Sequence, residues 1–125
     1  MKQANHRSLL AFATVVVAAL TPTPLASARP AQKAAAMATT IRVKASEFRF
    51  VLSVKSAPRG RVTFVVKNVG YSSHDFKING KKTPLIDPGT TARLTVRFTK
   101  AGKYPYRCTV DAHAQTGMRG AFTIR

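Results

Sequence analysis

From residue 40 to Arg125 apolar and polar residues alternate with a period of two: Ile41, Val43 and Ala45; Phe48, Phe50, Leu52 and Val54; Val62, Phe64 and Val66; Ala92, Leu94, Val96 and Phe98. A strand sends successive side chains to opposite faces, so this period marks half-buried β-strands, and no stretch shows a helical period of comparable strength. Turn residues interrupt the pattern at Pro58-Arg59-Gly60, Asn68-Val69-Gly70, Asn79-Gly80, Asp87-Pro88-Gly89-Thr90 and Ala101-Gly102. Shorter pieces at Phe76 with Ile78, Tyr104 to Cys108 and Ala121 to Ile124 complete the set. The pattern predicts one all-β domain over residues 40–125, an antiparallel Greek-key β-sandwich of about seven or eight strands. Phe48, Phe50, Phe64, Phe98 and Phe122 are expected in its core. Tyr71, Tyr104 and Tyr106 are read as packing residues with outward hydroxyls.

The first 28 residues read differently. Lys2 and Arg7 precede a largely apolar run from Leu9 to Leu20, and Ala26-Ser27-Ala28 offers an A-x-A cleavage site. The run ends at Thr21-Pro22-Thr23-Pro24, short of the roughly 20 apolar residues a membrane span needs. These features predict an export signal over residues 1–28, removed on secretion, and a small-residue, Ala-rich leader over 29–39. The expected address is the periplasm or the extracellular side of the cell envelope, with no stable membrane anchor.

The chain carries 21 Lys and Arg against 4 Asp and Glu, a formal charge of +17. Only Lys2 and Arg7 of these fall in the signal segment, so the exported part keeps +15. In that part the basic residues are scattered singly along the strands, with only Lys81 and Lys82 adjacent, which fits a solvated outer face and argues against a nucleic-acid stripe. A field of this sign speeds encounter with anionic partners. An acidic redox protein is the expected partner, an anionic cell-surface polymer a further one, and the chain is expected to be a monomer.

The one cysteine, Cys108, has no internal disulfide partner in an oxidising compartment. An intermolecular bridge, an inert buried thiol, a nucleophile or a metal ligand are the choices, and the neighbours weigh between them. Cys108, His113 and Met118 are spaced C-x4-H-x4-M, and His74 lies upstream where a neighbouring strand could bring it alongside. Thiolate and thioether are soft donors that select copper, imidazole serves both of its oxidation states, and a His₂Cys set with a long axial Met is an electron-transfer copper site. Zinc rarely takes Met. Residues five apart on a straight strand lie roughly 16 Å apart, so the segment from Thr109 to Gly117 must fold back for these ligands to share an ion. Asp75 and Thr109 each follow a candidate ligand directly, and a bond between them would tie the two loops together.

The run Tyr104-Pro105-Tyr106-Arg107-Cys108-Thr109-Val110-Asp111-Ala112-His113-Ala114-Gln115-Thr116-Gly117-Met118-Arg119-Gly120 resembles the closing loop of the small blue-copper cupredoxins, the plastocyanin and azurin family. Asn68-Val69-Gly70-Tyr71-Ser72-Ser73-His74-Asp75-Phe76 likewise resembles that family's first-histidine loop, and the likeness spans roughly residues 40–125. It implies one type 1 copper ion with His74, Cys108 and His113 in the plane, Met118 as weak axial ligand and the Ser73 carbonyl as a distant fifth contact. It also implies a β-sandwich that shuttles single electrons and is not an enzyme. Family members commonly carry Asn after the first histidine, where this chain has Asp75, a carboxylate that adds negative charge near the metal. A copper carrier or buffer that supplies an envelope oxidase is the alternative reading of the same residues.

Overall fold

The computed structural model describes residues 13–15 and 38–125. Apart from positions 13–15 and 38–39, the expected signal and leader lie outside the described residues. Among the described residues there are nine strands: β1 (Thr39–Ser46), β2 (Arg49–Leu52), β3 (Ser56–Ala57), β4 (Gly60–Asn68), β5 (Lys77–Ile78), β6 (Lys81–Lys82), β7 (Thr91–Phe98), β8 (Gly102–Arg107) and β9 (Arg119–Ile124). They lie in two sheets, ordered β2-β1-β4-β7 and β3-β9-β8-β5-β6. The all-β sandwich expected from the sequence is the observed fold class, and the described residues include no helix.

The pairing is mixed rather than wholly antiparallel. β1 runs parallel to β4, with Ile41 opposite Phe64, and β3 runs parallel to β9. After the β1–β2 hairpin the chain crosses to the second sheet at β3 and comes back as β4, so β4 arrives beside β1 in the same direction. A parallel pair needs a long crossover of this kind, whereas a tight turn suffices for the β5–β6 hairpin. That turn is Asn79-Gly80, both residues with positive φ, at 48° and 72°, as a two-residue turn of the hairpin type demands.

The inward positions of the strands meet in one core. Ile41, Val43 and Ala45 of β1, Val62, Phe64 and Val66 of β4, and Phe122 and Ile124 of β9 are all buried. Phe64 is its hub, with ring centroids 5.1 Å from Phe76, 5.4 Å from Phe122 and 6.5 Å from Phe98. Tyr104 and Tyr106 pack as expected, against Phe98 and Phe76. Two aromatic expectations fail: Tyr71 is 84% exposed, and Phe48 is 37% exposed. Both sit in connections rather than strands, where the period of two no longer says which way a side chain points.

Candidate metal centre

Two loops at one end of the sandwich carry the chemistry. The first, between β4 and β5, holds His74. Its backbone is pinned to Ile86 by a reciprocal pair, His74 N–H to Ile86 O at 3.1 Å and Ile86 N–H to His74 O at 2.7 Å. Asn68, the last residue of β4 and fully buried, organises the rest of this loop. Its side-chain amide donates to Ser72 O (2.7 Å) and Ile86 O (2.8 Å), and its Oδ1 accepts from Gly70 N–H (2.9 Å).

The second loop joins β8 to β9 and begins and ends with candidate ligands. Cys108 N–H donates to Met118 O at 3.0 Å, closing the loop at its neck. Inside it, Met118 N–H bonds His113 O (3.0 Å), His113 N–H bonds Val110 O (3.2 Å), and Thr116 returns both its N–H and its hydroxyl to Ala112 O. Ala112 and Gly117 take positive φ, which lets the chain double back. The straight-strand separation is thereby removed.

The folding-back brings three donor atoms together. His74 Nδ1 lies 3.2 Å from His113 Nδ1, and His113 Nδ1 lies 3.6 Å from Cys108 Sγ. Among the described residues His74, Cys108 and His113 form a group whose ligand atoms all fall within 4.8 Å of one another. His74 and Cys108 are buried, His113 is half-buried, and Met118 at the loop's neck is fully buried. Two imidazoles and a sulfur at this spacing fit one soft metal ion, and copper is the first-row metal that this mixture selects. Burial pushes the Cys108 thiol up from its ordinary pKa.

Around these atoms Asp75, 4% exposed, ties the two loops. Its Oδ1 accepts from Thr109 N–H at 2.6 Å, its Oδ2 accepts a short bond from the Thr109 hydroxyl, and Lys82 Nζ stands 3.6 Å from Oδ2. The Ser73 hydroxyl donates to Asp87 Oδ1 at 2.7 Å.

Three residues of the site escaped the sequence reading. Glu47, in the turn after β1, accepts from Tyr71 N–H (3.0 Å) and Ser72 N–H (2.8 Å) and lies 3.1 Å from His74 Nε2. The backbone bond from Ser72, helped by His74 and Tyr71, lowers its pKa to about 2 against the opposing effect of burial. Gly70 makes room for it, since a Cβ there would stand 2.4 Å from both carboxylate oxygens. Phe48 packs edge-on against the His113 ring, with centroids 4.9 Å apart. Glu47 was one of only four acidic residues in a strongly basic chain, the one signal that could have singled it out.

A family model described as "Cupredoxin-like domain" matches residues 10–124. The copper-resistant cuproprotein CopI of Pseudomonas aeruginosa is 42% identical over 41 residues, 33% of this chain and 23% of that protein, so the match spans about a quarter of the relative's length. The reduced auracyanin of Roseiflexus castenholzii superposes with a TM-score of 0.60 at 21% identity, over 70% of this chain and 97% of that one. Auracyanin A of Chloroflexus aurantiacus, described as a "blue" copper protein, gives 0.58 at 19% identity, over 70% and 99%. At these identities the likeness speaks for the fold.

Proposed function

The chain belongs to the cupredoxin-like family, and on that premise we propose that it is an exported one-electron carrier, with a type 1 copper ion held by His74, Cys108, His113 and Met118. The observation that carries this reading is the convergence of two imidazole Nδ1 atoms and the Cys108 sulfur within 4.8 Å. Bound copper would supply the Cu(I)/Cu(II) couple. The protein's part is to hold the donors still: Asn68 fixes the His74 loop, the Cys108–Met118 backbone bond closes the other, and Asp75 joins them. Ligands fixed in this way shift little between oxidation states, which keeps electron transfer fast. His113, half-buried in the exposed loop, is the route by which the electron enters and leaves.

A visible spectrum tests the reading. Purified protein given one equivalent of Cu(II) is expected to develop an intense absorption near roughly 600 nm, the mark of a thiolate-to-copper site, and Cys108→Ser is expected to lack it. A colourless wild type sinks the proposal. The copper-resistance relative supports a second reading, a copper carrier or buffer for an envelope oxidase, which uses the same ligands and would release its metal to a competing chelator in seconds rather than hours.

An acidic partner is part of the proposal. Lys82, Lys77, Arg107 and Arg119 stand directly opposite one another across β6, β5, β8 and β9. Lys77, Arg107 and Arg119 line an open groove with Pro105, Ala114 and Gln115, the last two from the ligand loop. Like charges in cross-strand register repel, and an anionic surface laid along the row relieves that repulsion. Reversing Lys77 and Arg107 to Glu is expected to slow oxidation of the reduced protein by hexacyanoferrate(III) about tenfold at low salt, with the loss disappearing near 1 M salt. Arg61→Glu with Arg97→Glu, the same charge change on the other sheet, is the control. Equal slowing by both pairs would show that net charge alone matters.

A further inference from the structure

Two of the chain's four acidic residues stand against the metal centre, Asp75 buried and Glu47 half-buried. The Glu47 side chain is 10% exposed and the Asp75 side chain 6%. Burying a carboxylate is costly unless it is hydrogen-bonded, and both are: Glu47 by Tyr71 N–H, Ser72 N–H and His74, Asp75 by Thr109 through backbone and hydroxyl. Loops can be tied by neutral groups, as Asn68 does a few ångströms away. Two negative charges do something a neutral tie does not.

We propose that Glu47 and Asp75 bias the site toward oxidised copper, making this chain a low-potential electron donor; the inference rests on the one-electron-carrier reading above. Cu(II) with one thiolate carries a net charge of +1, and the two carboxylates bring this group to −1. Taking up one electron brings it to −2, and in a poorly screened interior that addition is opposed. Glu47 acts a second way. A carboxylate only accepts hydrogen bonds, so the 3.1 Å contact places the proton on His74 Nε2 and leaves Nδ1 bare, facing His113 Nδ1 and Cys108. A ring whose N–H is given to a carboxylate is a stronger donor to a metal, and this favours the higher charge. Among the described residues Lys82 is the only lysine or arginine within ion-pair distance of either carboxylate, and it offsets Asp75 alone. Glu47 is therefore the stronger of the two.

The midpoint potential, measured by spectroelectrochemistry at one fixed pH, tests this on copper-loaded wild type, Glu47→Gln, Asp75→Asn and the double variant. Glu47→Gln is expected to raise the Cu(I)-to-Cu(II) affinity ratio about tenfold, about 59 mV for a one-electron couple. Asp75→Asn should give a smaller rise, and the double variant a larger one than either. A Glu47→Gln ratio within about twofold of wild type, or below it, overturns the proposal, because a purely structural role would change stability without moving the potential. Nitrogen-15 shifts of the His74 ring in the metal-free wild type need no variant to fold: protonated Nε2 with bare Nδ1 supports the Glu47 clamp, and protonated Nδ1 overturns it. If the wild type never turns blue, the carrier reading fails, and the ring shifts still decide the clamp.

Discussion

Phe64→Ala is expected to lower the free energy of unfolding by about 3–5 kcal/mol, the range for truncating a buried aromatic residue. The upper half applies because the site cannot collapse. Phe64 is fully buried on β4, a strand hydrogen-bonded on both sides, by β1 and by β7. The rings it touches belong to other elements: Phe76 to the His74 loop, Phe98 to β7 and Phe122 to β9. Each is fixed by its own backbone, so the space left by the ring stays open and its contacts with both sheets are lost together. Guanidinium unfolding of the metal-free protein measures the change, and a loss below about 1.5 kcal/mol would mean the core repacks freely. Phe48→Ala is the contrast, since a ring 37% exposed on a turn contributes little to the core.

Asn68→Ala is the second large effect, about 3 kcal/mol. Nothing apolar of consequence is removed. Instead the change leaves Ser72 O, Ile86 O and Gly70 N–H without the partner they have now. An unmade bond at a buried group costs about 1–3 kcal/mol, and some of these groups can recover water because the Ser72 and Gly70 contacts are only part-buried. Asn68→Asp should be no rescue, since a carboxylate would face two carbonyl oxygens with no hydrogen to offer. Equilibrium unfolding gives the stability, and hydrogen exchange at Gly70 and His74 reports the loop. A stability loss below about 1 kcal/mol, with exchange at these amides unchanged, would remove Asn68 from its place as organiser of the His74 loop.

Fold class and the convergence of Cys108 and His113 with His74 were legible because much of each depends on local pattern. Alternation at Ile41-Val43-Ala45 and Val62-Phe64-Val66 reports a face directly, and Asn79-Gly80 dictates its own turn. Cys108, His113 and Met118 lie within eleven residues of one another, so a loop rich in small and turn-forming residues was enough to bring them into one loop. Parallel pairing was not legible, because the direction in which β4 returns depends on where the chain crosses between sheets. Glu47 was invisible for a related reason. It comes from a turn 27 residues before His74, and only the β1–β4 pairing, with Ala45 opposite Asn68, carries it to the His74 loop. Phe48 and Tyr71 were misplaced because periodicity ends where strands do.

The scattered cations have a further consequence at the margins of the sandwich. Among the described residues each sheet ends in two strands paired on one side only, and an unpaired strand edge is a template for joining another chain. β3 and β6 are each two residues long, β6 consists of two exposed lysines, and β3 is followed at once by Pro58. The longer edges carry Arg49 on β2 and Arg93 and Arg97 on β7, all exposed. Two copies meeting edge to edge would align like charges or find too little backbone to bond, so the basic surface also keeps these sheets from growing into one another.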